Sequence, residues 1–341
     1  MKNYLLQLAE MKSFTELEMK EAVDAILHEE VSESEIAAFL MGLKSKGETV
    51  EEIVGIVQAL KGNTVSFTKK FPNVLDNCGT GGDGSSSFNV STTSAFVIAG
   101  AGIPVAKHGN RSISSKTGSA DVLEYLGINL NLPAEKIEDI LQEIGIAFLF
   151  APHVHPKLKK VTMVRKQLKI PTIFNFIGPL TNPIDLDYQL LGVYRRDLLN
   201  VFAEVLHRLG RKRATVLNGA GFMDEASLQG ENYLTILEDG VISNCSFLPE
   251  DMGLPQYDNN LIKGGDSREN ADILLKVLMG EKGPYRDTVL LNAGIGIFTY
   301  GKTDSIRNGI KVAEDIIDSG AAFEKLKLLK EKTRTGQREV I

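Results

Sequence analysis

Apolar positions in the first 64 residues recur at helical spacing. Ile36, Phe39, Leu40 and Leu43 mark one stripe, and Ile53, Ile56, Val57 and Leu60 mark another. Three hydroxyl-to-glutamate pairs stand three residues apart: Thr15 with Glu18, Ser32 with Glu35, and Thr49 with Glu52. Each reads as a capping box, in which a hydroxyl accepts from an orphan backbone N–H and the carboxylate reaches back to the cap. The pattern predicts a small all-helical layer with no strand.

From Phe71 the pattern changes. Pro72 to Asp76 is a strand candidate running into glycines, Val90 to Ala101 reads as a helix, and Ile103 to Ala106 as a short buried strand. A polar loop follows, then a helix opening at Ser119 and closing at Gly127, a helix over 133–145, a strand from Ala147 to Phe150, and a basic amphipathic helix over 157–169. Pro171, Pro179 and Pro183 break the next stretch into loops and short pieces. Beyond it, Ala214 to Leu217 and two short segments around the Asp239-Gly240 turn read as strands, and 268–279, 287–299, 304–319 and 321–332 as helices. Strand, glycine loop, helix and strand in that order describe an α/β unit with a mostly parallel sheet. The expected architecture is a small helical domain over 1–68, joined by a returning segment near 163–187, and a larger α/β domain over 69–341 with a cleft between them, the usual place for a ligand.

Composition narrows the class. The chain has 341 residues, 43% of them hydrophobic and 24% charged, enough apolar material for a sizeable core, which excludes disordered and fibrous classes. Its 38 basic and 44 acidic residues give a net charge of −6, which argues against nucleic acid or an anionic membrane as partner but leaves room for a local basic pocket. Cys78 and Cys245 cannot form a disulfide framework. The opening MKNYLLQLAEMKSF acquires charge too early for a signal peptide, and the longest apolar stretch, Ala95 to Ala106, falls short of the ~20 residues of a membrane span. A soluble cytoplasmic protein is the expectation.

Two motifs carry chemistry. Asp76-Asn77-Cys78-Gly79-Thr80-Gly81-Gly82-Asp83-Gly84 continues through three serines to Phe88-Asn89-Val90-Ser91-Thr92. Four glycines in six positions let backbone donors approach an anion, and the loop enters a helix whose first turn offers free N–H groups. Neither a Walker lysine nor G-x-G-x-x-G spacing is present, so the loop is a pyrophosphate cradle of another kind or an ordinary flexible loop with a helix cap. Lys107-His108-Gly109-Asn110-Arg111, followed by Ser112 to Ser115 and Gly118-Ser119-Ala120-Asp121, adds cations and hydroxyls of the types that bind phosphate, at the end of a strand neighbouring the first.

The combination GTGGD, NVST, KHGNR and GSAD, with Phe174 to Leu180, Gln189 to Val193, Asp224-Glu225 and Asn292-Ala293, resembles the anthranilate phosphoribosyltransferase family of tryptophan biosynthesis over most of the chain. The resemblance implies a nucleoside-phosphorylase-like fold, a homodimer formed through the helical domain, and transfer of the phosphoribosyl group from phosphoribosyl pyrophosphate (PRPP) to the amino group of anthranilate. It implies that Gly79, Gly82, Asp83, Ser87, Asn89, Ser91, Thr92, Lys107, Ser115 and Ser119 bind PRPP. It assigns Gly79, Asn110 and Arg165 to anthranilate, and Ser91, Asp224 and Glu225 to Mg2+. Serine at 87 keeps the hydroxyl of the family's usual threonine.

These assignments are chemically coherent. Magnesium takes hard oxygen ligands and keeps water and phosphate in its shell, so one hydroxyl and two adjacent carboxylates suffice. Asp224-Glu225 taken alone reads as a surface turn, and Arg165 as one more charge beside Lys159, Lys160 and Lys166. A guanidinium, unlike a lysine, can take the anthranilate carboxylate bidentately. His153 and His155 lack a third ligand at zinc spacing and belong to a loop resembling the family's substrate-access segment. No general base is assigned, to His108 or any other residue, because an aniline-type nitrogen is already a free nucleophile. Lys157 stands where the family commonly has alanine, and Asn218 and Phe222 replace a frequent histidine and glycine. The alternatives are a pyrimidine-nucleoside phosphorylase-like enzyme, against which Asn110, GTGGD and Arg165 speak, and a non-catalytic nucleic-acid-binding family member, against which the net charge speaks.

Overall fold

The computed structural model describes residues 1–28, 30–111 and 117–334. Helices α1 (Lys2–Ala9), α2 (Glu16–His28), α3 (Glu33–Lys46) and α4 (Val50–Gly62) form the N-terminal layer. Ser32 and Thr49 close complete capping boxes with Glu35 and Glu52, and Thr15 exchanges the same bonds with Glu18, 2.8 Å and 3.3 Å long. Then β1 (Leu75–Gly79), α5 (Val90–Gly100), β2 (Val105–Gly109), α6 (Ser119–Tyr125), α7 (Ala134–Ile144) and β3 (Ile146–Phe150) alternate. One helical turn, α8 (Ala151–Val154), and α9 (Lys159–Leu168) lead through short 3-10 pieces to β4 (Tyr188–Gly192), α10 (Leu199–Arg208) and β5 (Arg213–Asn218). The hairpin β6 (Asn232–Glu238) and β7 (Val241–Phe247) precedes α11 (Ser267–Leu278), α12 (Pro284–Tyr300), α13 (Ile306–Asp318) and α14 (Ala321–Thr333).

The architecture is the expected one, a helical N-terminal part and a larger α/β part with a mostly parallel central sheet. The sheet runs β3-β2-β1-β4-β5-β6-β7. The first five strands are parallel and β6 and β7 antiparallel. β3, Ile-Ala-Phe-Leu-Phe, is buried at every position, as parallel strands covered on both faces are. Two apolar clusters flank the sheet. One joins α5, α12, α13 and α14 to it. The other joins the N-terminal helices, Val161 and Val164 of α9, and α10 to the opposite face of β4 and β5. Residues from α9 and the 173–180 stretch thus share a core with the first 60 residues.

Four local readings change. β1 and β2 both lie C-terminal to the apolar runs that suggest them, because buried polar residues belong to the strands. Asp76, Asn77, Lys107 and His108 are all buried, and Lys107 Nζ donates to Asn77 O at 2.6 Å, so these polar side chains mark strand rather than loop. β4 and α10 carry no assignment in the sequence reading. β4 is only five residues long and largely buried, so it has no polar alternation to reveal it.

Sheet order positions the site. β1 has β2 on one side and β4 on the other, so the order reverses between β1 and β4, and ligands in open α/β sheets bind beyond the carboxyl ends of the strands at such a point. Gly79 ends β1 opposite Gly192, which ends β4.

Candidate active site

The glycine loop leaves β1 at this reversal. Gly81, Gly82 and Gly84 have φ of 68°, 81° and 73°, the left-handed region that glycine adopts without penalty. Thr80 N–H donates to Gly192 O at 2.9 Å and Gly81 N–H to Asp224 Oδ2 at 2.6 Å, pinning the loop's first residues to the neighbouring strand end and to the 219–225 loop after β5. The serine end of the loop is tied elsewhere, by Phe88 N–H to Ile262 O at 3.0 Å and Gly264 N–H to Ser86 O at 2.9 Å.

The N-terminus of α5 closes one side. Ser91 N–H donates to Glu225 Oε1 at 3.2 Å, and Asn77 Nδ2 holds Ser91 O at 2.8 Å. Asn89, the cap residue, accepts on Oδ1 from Asn270 Nδ2 at 2.8 Å. Asp224 and Glu225 are therefore no surface turn; Asp224 is 8% exposed. Burial, with the charges of Asp83 and Glu225 behind it, raises the Asp224 carboxyl well above its ordinary range. Burial raises Glu225 to about 7, Lys107 and Ser91 opposing.

Of the expected PRPP and metal residues, the structure brings Gly79, Asp83, Ser91, Asp224 and Glu225 together through these contacts and charge interactions, with Lys107 acting on Glu225. Gly82 faces Tyr194, and Ser87 bridges to Lys263. Ser119 Oγ donates to Asn110 O at 3.2 Å, bringing one more of them beside the expected anthranilate residue Asn110 at the end of β2. Ser115 lies outside the described residues. Asp83 Oδ2 and Thr92 Oγ1 are buried without a hydrogen-bond partner. An orphaned carboxylate oxygen beside two carboxyls whose charged forms burial disfavours fits a hard divalent cation.

Arg165 belongs to a second group, on α9. Its Nη2 donates to Asn175 Oδ1 at 3.3 Å and its guanidinium lies 5.6 Å from the Phe174 ring centroid. Burial lowers its pKa, and among the described residues it forms no salt bridge. The 173–181 stretch links the two groups: Asn175 meets Arg165, and Gly178 O accepts from His108 Nδ1 at 3.1 Å. That bond leaves His108 Nε2 as a buried lone pair with no partner, and burial, with His155 close by, lowers the ring to about 3.

Asn77 and Asn182 escaped the sequence reading. Asn77 fastens both α5 and Lys107. Asn182 Nδ2 donates to Asp76 Oδ2 at 3.0 Å and Ala106 O at 2.8 Å, tying β1 to β2. Lys157 points to the helical layer, donating to Asn63 Oδ1 at 2.8 Å.

Residues 2–63 match the glycosyl transferase family helical bundle domain, and residues 71–323 its a/b domain. The chain is 56% identical over 329 residues to the anthranilate phosphoribosyltransferase of Bacillus cereus strain B4264, covering 96% of each. Among solved structures, anthranilate phosphoribosyltransferase from Thermus thermophilus superposes with a TM-score of 0.92 at 38% identity, over 97% of this chain and 99% of that one. The Saccharomyces cerevisiae enzyme in complex with PRPP and Mg superposes with a TM-score of 0.89 at 25% identity, over 97% of each chain.

Proposed function

The chain belongs to the anthranilate phosphoribosyltransferase family, and from that premise we propose how its own residues carry the reaction. The activity is transfer of the 5-phosphoribosyl group from PRPP to the amino group of anthranilate, giving N-(5-phosphoribosyl)anthranilate and pyrophosphate. The observation that carries the site reading is the meeting of buried Asp224 and half-buried Asp83 and Glu225 with the glycine loop and the first turn of α5.

In this reading Gly79, Gly82, Asp83, Ser87, Asn89, Ser91, Thr92, Lys107 and Ser119 bind PRPP, with Ser115 as a tenth contact. The backbone donors of the loop and of α5 face the phosphates, where a helix N-terminus favours negative charge. Ser91, Asp224 and Glu225 hold Mg2+, which supplies positive charge to the departing pyrophosphate. Asp83 Oδ2, orphaned and buried, supports a cation at this place. Arg165 takes the anthranilate carboxylate in its fork, with Asn110 and the backbone of Gly79 beside the ring.

The chemical step needs no base. The anthranilate nitrogen attacks the anomeric carbon with inversion as the pyrophosphate oxygen leaves, and its excess proton passes to solvent. Orientation of the two substrates and stabilisation of separating charge supply the acceleration. His108, neutral and bonded to Gly178 O, fits a packing role.

The larger assembly follows the same reading. Residues 1–68 with the segment near 163–187 form one domain and 69–341 the other. Two copies pair through the helical layer, where Leu6 and Leu17 are 54% and 64% exposed, and the enzyme works in the cytoplasm, with both cysteines free.

The test is fluorimetric consumption of anthranilate with PRPP and Mg2+, comparing wild type with Arg165→Ala and Asp224→Asn. Turnover impaired by both substitutions supports the assignment. Turnover untouched by either discards this site map while leaving the reaction in place.

A further inference from the structure

The loop carrying Asp224 and Glu225 is held from outside by one side chain with no part in the site above. Arg196 follows β4, and its Nε donates to Asn218 Oδ1 at 3.0 Å. Its guanidinium carbon lies 3.7 Å from the ring centroid of Tyr233, on β6, and 5.0 Å from that of Phe222, within the loop. Among the described residues Arg196 forms no salt bridge, while its neighbour Arg195 pairs with Asp197 at 2.5 Å. Two aromatic faces take its guanidinium, and its charge also reaches the Glu231 carboxylate that accepts from the Tyr233 hydroxyl.

What it holds is a strained turn. Phe222 has φ of +61°, a region in which a bulky side chain is crowded against its own backbone, and its ring is 59% exposed, so no core packing keeps it there. Asn218 completes the hold: its Nδ2 donates to Val193 O at 2.8 Å and Met223 O at 3.3 Å, binding the end of β4 to the residue before Asp224. Gly219 N–H also donates to Met223 O, at 2.9 Å. The two positions where the chain departs from its family's usual histidine and glycine, 218 and 222, thus both touch Arg196.

We propose that Arg196 is a positioning residue for the Asp224-Glu225 loop. Fixed by Asn218 and stacked on Phe222 and Tyr233, it keeps residues 219–223 in the course that seats Asp224 against Gly79 and brings Glu225 to the start of α5. The inference rests on the reading of that pair as the Mg2+ site, and it makes Asn218, Phe222 and Arg196 one matched set.

The test uses the full chain as wild type, Arg196→Ala, and the double variant Arg196→Ala with Phe222→Gly. Two quantities are read: amide hydrogen exchange over 219–226 without metal, with exchange in β1 and β2 as the folding control, and the Mg2+ concentration giving half-maximal turnover. Arg196→Ala is expected to speed exchange over 219–226 by about fivefold or more. It is expected to raise the Mg2+ half-saturation by about tenfold, with kcat at saturating Mg2+ within about twofold of wild type, as for loss of a residue that orients a metal ligand. Glycine accepts the positive φ without help, so the double variant recovers most of both losses. Unchanged exchange over 219–226 in Arg196→Ala overturns the proposal, and a double variant no better than the single one overturns the pairing with Phe222. Faster exchange with an unmoved Mg2+ requirement supports the hold on the loop and overturns the metal reading of Asp224-Glu225.

Discussion

Gly79 and Asp224 fit together only because residue 79 has no side chain: a Cβ there would stand 2.2 Å from Asp224 Oδ2 and 2.8 Å from its Cγ. Gly192, opposite on β4, is closer still, its Cβ position 1.6 Å from Asp224 O. Two strand ends are thus bare so that one carboxyl can lie across them, at the point where the strand order reverses.

Gly79→Ala therefore displaces Asp224, because the clash is with the carboxyl itself and with its backbone O at 2.9 Å. Overpacking of this kind costs ~1–3 kcal/mol of stability. Displacement of a proposed metal ligand by about 1 Å is expected to cost about 100-fold in rate. Chemical denaturation and steady-state turnover measured together check it. A variant as active as wild type would show that Asp224 has freedom to move without consequence.

With Glu225 as the proposed Mg2+ ligand, metal binding is expected to depend on pH. Burial holds its carboxyl up at about 7, against an ordinary 4.5. Without metal, the folded chain keeps a proton between about 4.5 and about 7 that the unfolded chain has released. The resulting stability is full below the lower value and is lost as pH rises through the upper one. A cation competes with that proton. The rise in Tm caused by Mg2+ is expected to be larger at pH 8 than at pH 6, and Glu225→Gln to shrink the difference, leaving the part that Asp224 contributes. Equal rises at both pH values in the wild type contradict the assignment of Glu225 to the metal.

The two histidines work in the other direction. Burial lowers His108 to about 3 and His155 to about 4, from an ordinary 6.5. Below pH 6.5 the unfolded chain takes up protons that the folded chain refuses, so this contribution to stability is lost as pH falls toward those values. Both rings stay neutral at working pH. An NMR titration of ring nitrogens should show no transition for His108 from pH 8 down to pH 5, and the turnover–pH profile should keep its shape in His108→Asn. A His108 transition near neutrality would reopen its candidacy as a base.

Glycine spacing and capping boxes made much of this architecture legible. The boxes at Ser32 and Thr49 mark true helix starts, and GTGGD and KHGNR flag two strand ends that do lie side by side. Less visible was anything that depends on partners distant in sequence. Buried polar residues such as Asn77 and Lys107 read as loop until Lys107 bonds Asn77 O and Asn77 holds Ser91 O. Asp224-Glu225 reads as a turn until α5, 134 residues earlier, closes over it. Arg196 looks like one of two adjacent surface charges, and only the fold places Phe222 and Tyr233 against it.

Arg165 separates geometry from charge. It is desolvated, braced by Asn175 and Phe174, and forms no salt bridge among the described residues, which suits the proposed role of taking an incoming carboxylate. Arg165→Lys preserves the charge and removes the planar fork. Losing one of two parallel charge-assisted bonds, ~1.5–3 kcal/mol, raises the KM for anthranilate by about 10- to 100-fold. The KM for PRPP is expected to stay unchanged, because the proposed PRPP site lies with the glycine loop and α5 rather than with α9. Steady-state kinetics with each substrate varied in turn reads the split. If both KM values rise together, lysine has disturbed the 173–181 stretch through Asn175, and the fork is not what selects the aromatic acid.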